Sequence, residues 1–380
     1  MTTKRSNGEG TDITRGDDGR YHAWLSMGLK TGGRRDRRHV SGQTRAEVSR
    51  KLRALQAQRD AGVVPDAGRA PTVAAWLEHW LDNIATHKVR TKTLQGYRGM
   101  VRHRIAPALG HHRLDRLQPE HVEAFYAGLK NEGLSSSTVL QCHRILSRAV
   151  KVAMQRGKVS RNVCGLVDAP SVTRPEIQPL TATEARALLN AATDTRNAAR
   201  WSVALSLGLR QGEALGLAWD AVDLDTGVLT VRRALQRLGG QGLVMVEPKS
   251  RAGRRRIALP APLVEGLRSH RAAQLEGRLK AGSEWKDHGL VFAQPNGKPI
   301  DPRADNRAWK ALLQAAGVRD ARLHDARHTA ATLLLLQGVD NRVVMELLGH
   351  SQLSMTARYQ HVLPELARDA AERMGKALWG

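Results

Sequence analysis

A chain of 380 residues with 41% hydrophobic content has enough apolar material for two or three domains with cores of their own, which excludes a disordered or fibrous polypeptide. Its 60 lysines and arginines against 36 acids leave a net charge of +24, a balance that argues against neutral small-molecule chemistry and for a polyanionic partner. Arginine dominates, as in Arg34, Arg35, Arg37, Arg38 and in Arg251, Arg254, Arg255, Arg256; guanidinium forks match phosphate oxygens, so nucleic acid is the first candidate and an anionic lipid surface the other.

Two cysteines, Cys142 and Cys164, argue against a disulfide scaffold or a zinc–thiolate cluster and suit a reducing cytoplasm. The N-terminus is polar, and the longest leucine run, Leu333 to Leu336, is too short to cross a bilayer, so a protein neither exported nor membrane-embedded is expected. Proline- and glycine-containing stretches from Gly62 to Pro71 and from Asp168 to Pro179 divide the chain into segments 1–62, 70–170 and 175–380.

In the first segment, Tyr21 to Leu29 reads as a strand, Thr31-Gly32-Gly33 as a turn and Arg37 to Val40 as a second strand, before Thr44-x-x-Glu47 opens a helix as a capping box. The result is a small basic α+β module. The second segment reads as all-α. After a Thr72 cap, Val73, Trp76, Leu77, Trp80, Leu81 and Ile84 share one helical face, a stripe better suited to a core than to base stacking. Further helices start at Thr91, at Pro119 and at Ser135-Ser136-Ser137, the last with Val139, Cys142, Leu146, Ala149, Val150 and Ala153 in register. The third segment opens with the capping box Thr181-x-x-Glu184 and is mixed α+β, mainly helical, with short strands at Val228 to Val231, Leu243 to Val246 and Arg256 to Leu259. Gly317, Gly338 and Gly349 each follow an apolar helical stretch, where a left-handed residue would end it.

Chemistry-bearing residues concentrate in that third segment. Leu207-Gly208-Leu209-Arg210-Gln211-Gly212-Glu213 places an arginine and a glutamate one turn apart among apolar residues, which fits either an internal Arg210–Glu213 ion pair or an arginine facing an anion. Pro248-Lys249-Ser250-Arg251-Ala252-Gly253, between two expected strands, reads as a basic hairpin loop. His324-Asp325-Ala326-Arg327-His328 puts His324 and Arg327 on one helix face. Beyond Leu348-Gly349-His350, Ser354 can cap a short helix carrying Tyr359, the sole tyrosine after the second linker among the four in the chain.

Arg210 within GLRxGE, Lys249 between strands, HxxR at His324 and Arg327, LGH at His350, and then Tyr359, occur in one order; together they resemble the tyrosine recombinases, especially the integrases of temperate phages and integrative elements. The resemblance implies that Tyr359 attacks a backbone phosphate to give a 3′-phosphotyrosyl link and a free 5′-hydroxyl. Arg210 and Arg327 would hold the non-bridging oxygens, Lys249 would protonate the leaving oxygen, His324 would assist proton transfer at Tyr359, His350 would donate to the phosphate and Glu213 would orient the site. Neither cofactor nor metal is implied, since the phosphotyrosine conserves the bond energy. The departures from the family pattern are Ala326, where a leucine is usual, and Gln211 after Arg210, where variation is ordinary; Arg358 adds a charge beside Tyr359.

The resemblance further implies an arm-type DNA-binding module in 1–62, with Arg34, Arg35, Arg37 and Arg38 on DNA, a helical core-site module in 70–170, and a catalytic domain in 175–380 to which Arg251 and Arg254 add contacts. It also implies double-stranded attachment sites, a homotetramer on DNA, accessory bending or directionality proteins, and work at the nucleoid of a bacterial host. A solvated basic turn is the other reading of Arg34 to Arg38. Leu363, Leu366, Ala370, Met374 and Leu378 read as an amphipathic helix that docks on its own domain or on a neighbouring subunit. Transposon integrase and dimer resolvase are the alternatives within the family. Outside it stand a catalytically silent DNA-binding regulator and a metal-dependent hydrolase using His324 and His328, because HDxxH approximates the HExxH helix.

Overall fold

The computed structural model describes residues 11–29, 35–60, 70–173, 178–248, 253–349, 371–372 and 374–379. The chain divides into two compact units, 1–174 and 175–380, and is predominantly helical. Among the described residues no helix is long and apolar enough to cross a membrane.

The first unit begins with an antiparallel sheet of β1 (Thr14–Arg15), β2 (Tyr21–Leu29) and β3 (Arg35–Gly42). Its register pairs Ala23 with Val40 and Trp24 with His39, so strand alternation turns Ala23, Leu25, Met27 and Val40 onto Val48 and Leu52 of α1 (Arg45–Asp60). Trp24, His39 and Arg37 stay exposed. The expected capping box is displaced by one residue on its return half: Glu47 N donates to Thr44 Oγ1 at 3.2 Å, but the Glu47 carboxylate accepts from Gln43 N at 2.9 Å. The expected turn at Thr31 to Gly33 lies outside the described residues.

The helical part comprises α2 (Val73–Asn83), α3 (Thr91–Met100), α4 (Ala106–Leu109), α5 (Pro119–Asn131) and α6 (Ser136–Gln155). Thr72 and Ser135 cap α2 and α6, accepting from Ala75 N and Thr138 N. The Trp76 and Trp80 stripe is core: both rings are buried, and Trp76 Nε1 donates to Ala149 O of α6 at 2.9 Å. A π turn at Val101–Ile105 joins α3 to α4. It precedes Pro107, which has no N–H to give to the residue 103 carbonyl, and the widened turn lets the helix run on through the proline.

The second unit opens with α7 (Ala182–Ala192), whose Thr181–Glu184 box is reciprocal, at 3.1 and 2.7 Å. α8 (Ala198–Ser206) and α9 (Gln211–Leu215) lead to β4 (Val222–Asp223), β5 (Val228–Val231), β6 (Ala234–Leu238), β7 (Gly242–Val246) and β8 (Arg255–Ala258). α10 (Ala261–Ala281), α11 (Pro302–Ala315), α12 (Leu323–Leu336) and α13 (Asn341–Leu348) follow. One core forms where Leu229, Val231 and Ile257 of the sheet meet Leu263 and Leu267 of α10; another surrounds Trp201 of α8 and Trp309 of α11. Gly317, Gly338 and Gly349 all have positive φ, of 63°, 76° and 66°, as their places after helices require.

The hairpin reading of Pro248 to Gly253 is corrected. β7 pairs with β6, which the sequence reading missed, while β8 pairs with β5; the stretch crosses from a two-stranded to a three-stranded sheet. Gly240 and Gly242, both at φ 77°, let β7 fold back on β6 first, and β8 gains more by setting Ile257 against Leu229 in the core.

Arg200, 1% exposed, and Asp305, 3% exposed, join α8 to α11 through contacts of 3.2 and 2.9 Å. Asp305→Ala would strand the Arg200 charge in the core and should cost about 3–5 kcal/mol. Urea unfolding followed through Trp201 and Trp309 fluorescence measures this; a loss under about 1 kcal/mol would show that the guanidinium finds other partners.

Candidate active site

Two segments of the second unit, the start of α9 and β8, meet around one carboxylate. Arg210 is the N-cap of α9 and Glu213 its third residue, so the helix start brings the two together: Glu213 accepts from Arg210 N at 3.2 Å and from Arg210 Nη1 at 2.7 Å. Glu213 is 5% exposed and also accepts from Arg255 Nη2 of β8 at 2.9 Å. Burial works against its ionised form, but Arg255 and Arg210 outweigh that and hold the carboxyl below its usual range.

The internal ion pair anticipated as one reading of Arg210 is therefore present. Of its five N–H donors, the described residues engage Nη1 with Glu213 and Nη2 with Gly349 O at 2.9 Å, and the side chain is 37% exposed. An anion can approach it.

Arg327 comes from the first turns of α12 and is 3% exposed. Its Nη1 donates to Gly208 O at 2.7 Å and its Nη2 to Leu348 O at 2.5 Å. Gly208 is required here: at φ +58°, an added Cβ would lie 2.7 Å from Leu348 and 3.1 Å from Ala330, so a side chain would wedge the segment before Arg210 away from α12 and α13. Arg255 Nε donates to Leu347 O at 2.6 Å. Three guanidinium groups thus hold three successive carbonyls, Leu347, Leu348 and Gly349, at the C-terminus of α13, where the helix dipole is negative.

His324 stands one turn before Arg327 on α12, exposed, with its ring 4.8 Å from that of His328 in an edge-on arrangement. Although the residue is exposed, protein packed about the ring partly desolvates it, and this, then the Arg327 charge, lowers the His324 pKa, so the imidazole favours its neutral form. His328 is buried and is pushed down to about 4, first by burial and then by His324. Asp325 is turned back to cap α12, accepting from Arg322 N at 2.7 Å and from the Arg322 guanidinium. Among the described residues no three His, Cys, Asp or Glu side chains are grouped to hold a metal ion. Ala326 is packed in the core beneath α12.

Of the residues singled out from the sequence, Arg210, Glu213, His324 and Arg327 are thus placed in one neighbourhood, whereas Lys249, His350 and Tyr359, with Arg34 and Arg251, lie outside the described residues. Arg254 is exposed and pairs with Glu247 at 2.6 Å, linking the two ends of the stretch that contains Lys249. Arg35 and Arg37 are exposed on β3, while Arg38 pairs with Asp36 at 3.0 Å. Arg255 entered the sequence reading only as one charge in a run. Its signal was the alternation of Arg255, Arg256, Ile257 and Ala258, which turns Arg255 to the same side as Ile257.

Comparison with known proteins agrees with this layout. A model of the phage integrase family matches residues 178–365, and one of the phage integrase N-terminal SAM-like domain matches 72–130. An integrase of Saccharopolyspora erythraea is 39% identical over all of this chain and 98% of its own, and an integrase of Streptomyces ambofaciens is 33% identical over 94% and 92%. Among solved structures, the Tn1549 transposon integrase in complex with a circular intermediate DNA has a TM-score of 0.67 at 22% identity, covering 80% of this chain and 100% of that one. A lambda integrase dimer bound to a COC′ core site has a TM-score of 0.56 at 16% identity, over 94% and 96%. At such identities the structures speak to the fold, while the sequence relatives, matched along nearly their whole length, establish the kinship: the chain belongs to the phage integrase family of tyrosine recombinases.

Proposed function

We propose that the protein is a site-specific DNA recombinase that cuts and rejoins duplex DNA through a 3′-phosphotyrosyl intermediate, integrating or excising a phage or mobile element. The observation that carries this reading is the convergence of Arg210 and Arg327 on the adjacent carbonyls of Gly349 and Leu348, directly before His350 and ten residues before Tyr359 in the chain. In this mechanism Tyr359 Oη attacks phosphorus, the P–O bond to the 5′-oxygen breaks, and Lys249 supplies the proton that makes the 5′-hydroxyl. Arg210 and Arg327 stabilise the charge that grows on the non-bridging oxygens, and His350 donates to one of them. A free tyrosine has a pKa near 10, and His324, held towards its neutral form, is suited to accept the proton of Tyr359. Reversal by a 5′-hydroxyl from the partner strand rejoins the DNA without ATP.

Residues 1–62 act as the arm-type module, with Arg34, Arg35, Arg37 and Arg38 toward phosphates and base edges; 70–170 bind the core site; 175–380 carry the chemistry. Paired strand exchange uses four copies on DNA, assisted by bending or directionality proteins, in the cytoplasm of a bacterial host. Metal-dependent hydrolysis through His324 and His328 has less support, since Asp325, which would be its base, is occupied in capping α12.

Nicked duplexes tiled across the DNA that flanks the gene should trap a covalent protein–DNA adduct, lost in Tyr359→Phe and formed undiminished in EDTA; adduct formation by Tyr359→Phe equal to that of the parent would show that another residue attacks. Affinity for the bound duplex should fall with salt by a slope of about 0.9 per phosphate neutralised, and a flat response would remove the electrostatic basis of the reading. Deletion of residues 1–62 should abolish a distal footprint while sparing the core site; an unchanged footprint would refute the arm assignment.

A further inference from the structure

We propose that Arg255 is a positioning residue for strand cleavage, which sets the Arg210 guanidinium through Glu213 and fixes the end of α13 through the Leu347 carbonyl. This rests on the recombinase reading above and goes beyond it, because the reaction itself uses no Arg255.

Arg255 is 7% exposed, and all three of its guanidinium nitrogens donate within the fold, so the side chain is committed to the groups it holds. Its contacts reach three of the four segments from which the reacting groups come, α12 being the fourth. Nη2 donates to Glu213 Oε2 at 2.9 Å, on the helix that Arg210 caps. Nε donates to Leu347 O at 2.6 Å, two residues before the segment leading to His350 and Tyr359. Nη1 donates to Gly253 O at 3.4 Å, at the end of the stretch that carries Lys249. The pairing of Arg255 with Val231 in the ladder holds its backbone to the core of the three-stranded sheet. A planar fork with fixed donor directions can satisfy the carboxylate and the carbonyls together, whereas an ammonium concentrates its donors at one point. With Arg255 in place, the Glu213 carboxylate stays ionised and shared, and Arg210 is pulled to one side of it.

A core ion pair with no bearing on the reaction would show itself only in stability. The test uses the full-length protein on the adduct-trapping duplex found by tiling, with single-turnover cleavage at saturating DNA, DNA affinity and melting temperature measured in parallel. Arg255→Lys keeps the charge and guards against misfolding; Arg255→Gln removes it. Cleavage by Arg255→Lys should fall on the order of 10²-fold, the scale of an active-site group misplaced by about an ångström, while DNA affinity changes by less than about twofold. In Arg255→Gln the acid limb of the pH–rate profile should move to higher pH: burial raises the Glu213 pKa, Arg255 and Arg210 lower it, and one of the two opposing cations is gone. In a Glu213→Gln background, Arg255→Lys should cost less than it does alone. If Arg255→Gln does not fold, Arg255→Lys and its coupling to Glu213→Gln decide.

Wild-type cleavage rate and pH profile in Arg255→Lys, with only a lower melting temperature, would overturn the proposal, as would a loss explained wholly by weaker DNA binding. Failure of the parent protein to form any adduct would overturn the recombinase reading and this inference with it.

Discussion

The arginine pair at the centre of the candidate site, Arg210 and Arg255, depends on one buried negative charge. Glu213 brings Arg210 and Arg255 to a single carboxylate, in a region where like-charged guanidinium groups would otherwise repel one another strongly. Arg327 adds its donors to the carbonyls of Gly208 and Leu348. The site is therefore assembled from one acid and a row of peptide dipoles, an arrangement that keeps the net local charge positive. That is the condition under which a phosphate diester gains by entering.

The end of α13 is the second half of the same arrangement. A helix C-terminus leaves its last carbonyls without intrahelical donors, and here the deficit is met by arginines from three different places in the chain. Local sequence could not reveal this. The arginines lie at positions 255, 327 and 210, and nothing in the spacing of Leu347-Leu348-Gly349 says which donors will arrive.

Legibility followed the range of the interactions. Tyr21–Leu29, the Thr72 and Ser135 caps, the Thr181–Glu184 box and the helix-ending glycines were readable because each is decided within a few residues. The tryptophan stripe of α2 was readable as core from its periodicity. Strand pairing was not: β6 was missed, since Ala234–Leu238 alternates weakly, and with it the true partner of β7. At the site, order along the chain pointed to Arg210, Glu213, His324 and Arg327. Arg255 stayed hidden in a basic run because its place depends on β8 pairing with β5, which sets it opposite Val231, a pairing the sequence leaves open. The Arg210–Glu213 contact offered two readings; the ion pair is present, with Nη2 turned to Gly349 O and the side chain 37% exposed.

The passage from β7 to β8 also bears on how such a chain can change over time. A hairpin tolerates added residues because the ladder on either side keeps its own register, and the Gly239 to Gln241 turn between β6 and β7 is of that kind. Pro248 to Gly253 instead joins a two-stranded sheet to a three-stranded one, and among the described residues no ladder pairs β7 with β8. Insertions that are harmless at the first place would, at the second, alter the reach of whatever side chain that stretch carries. Length variation among descendants of this sequence should therefore gather at the β6–β7 turn, leaving the second stretch as a spacer whose measure is kept.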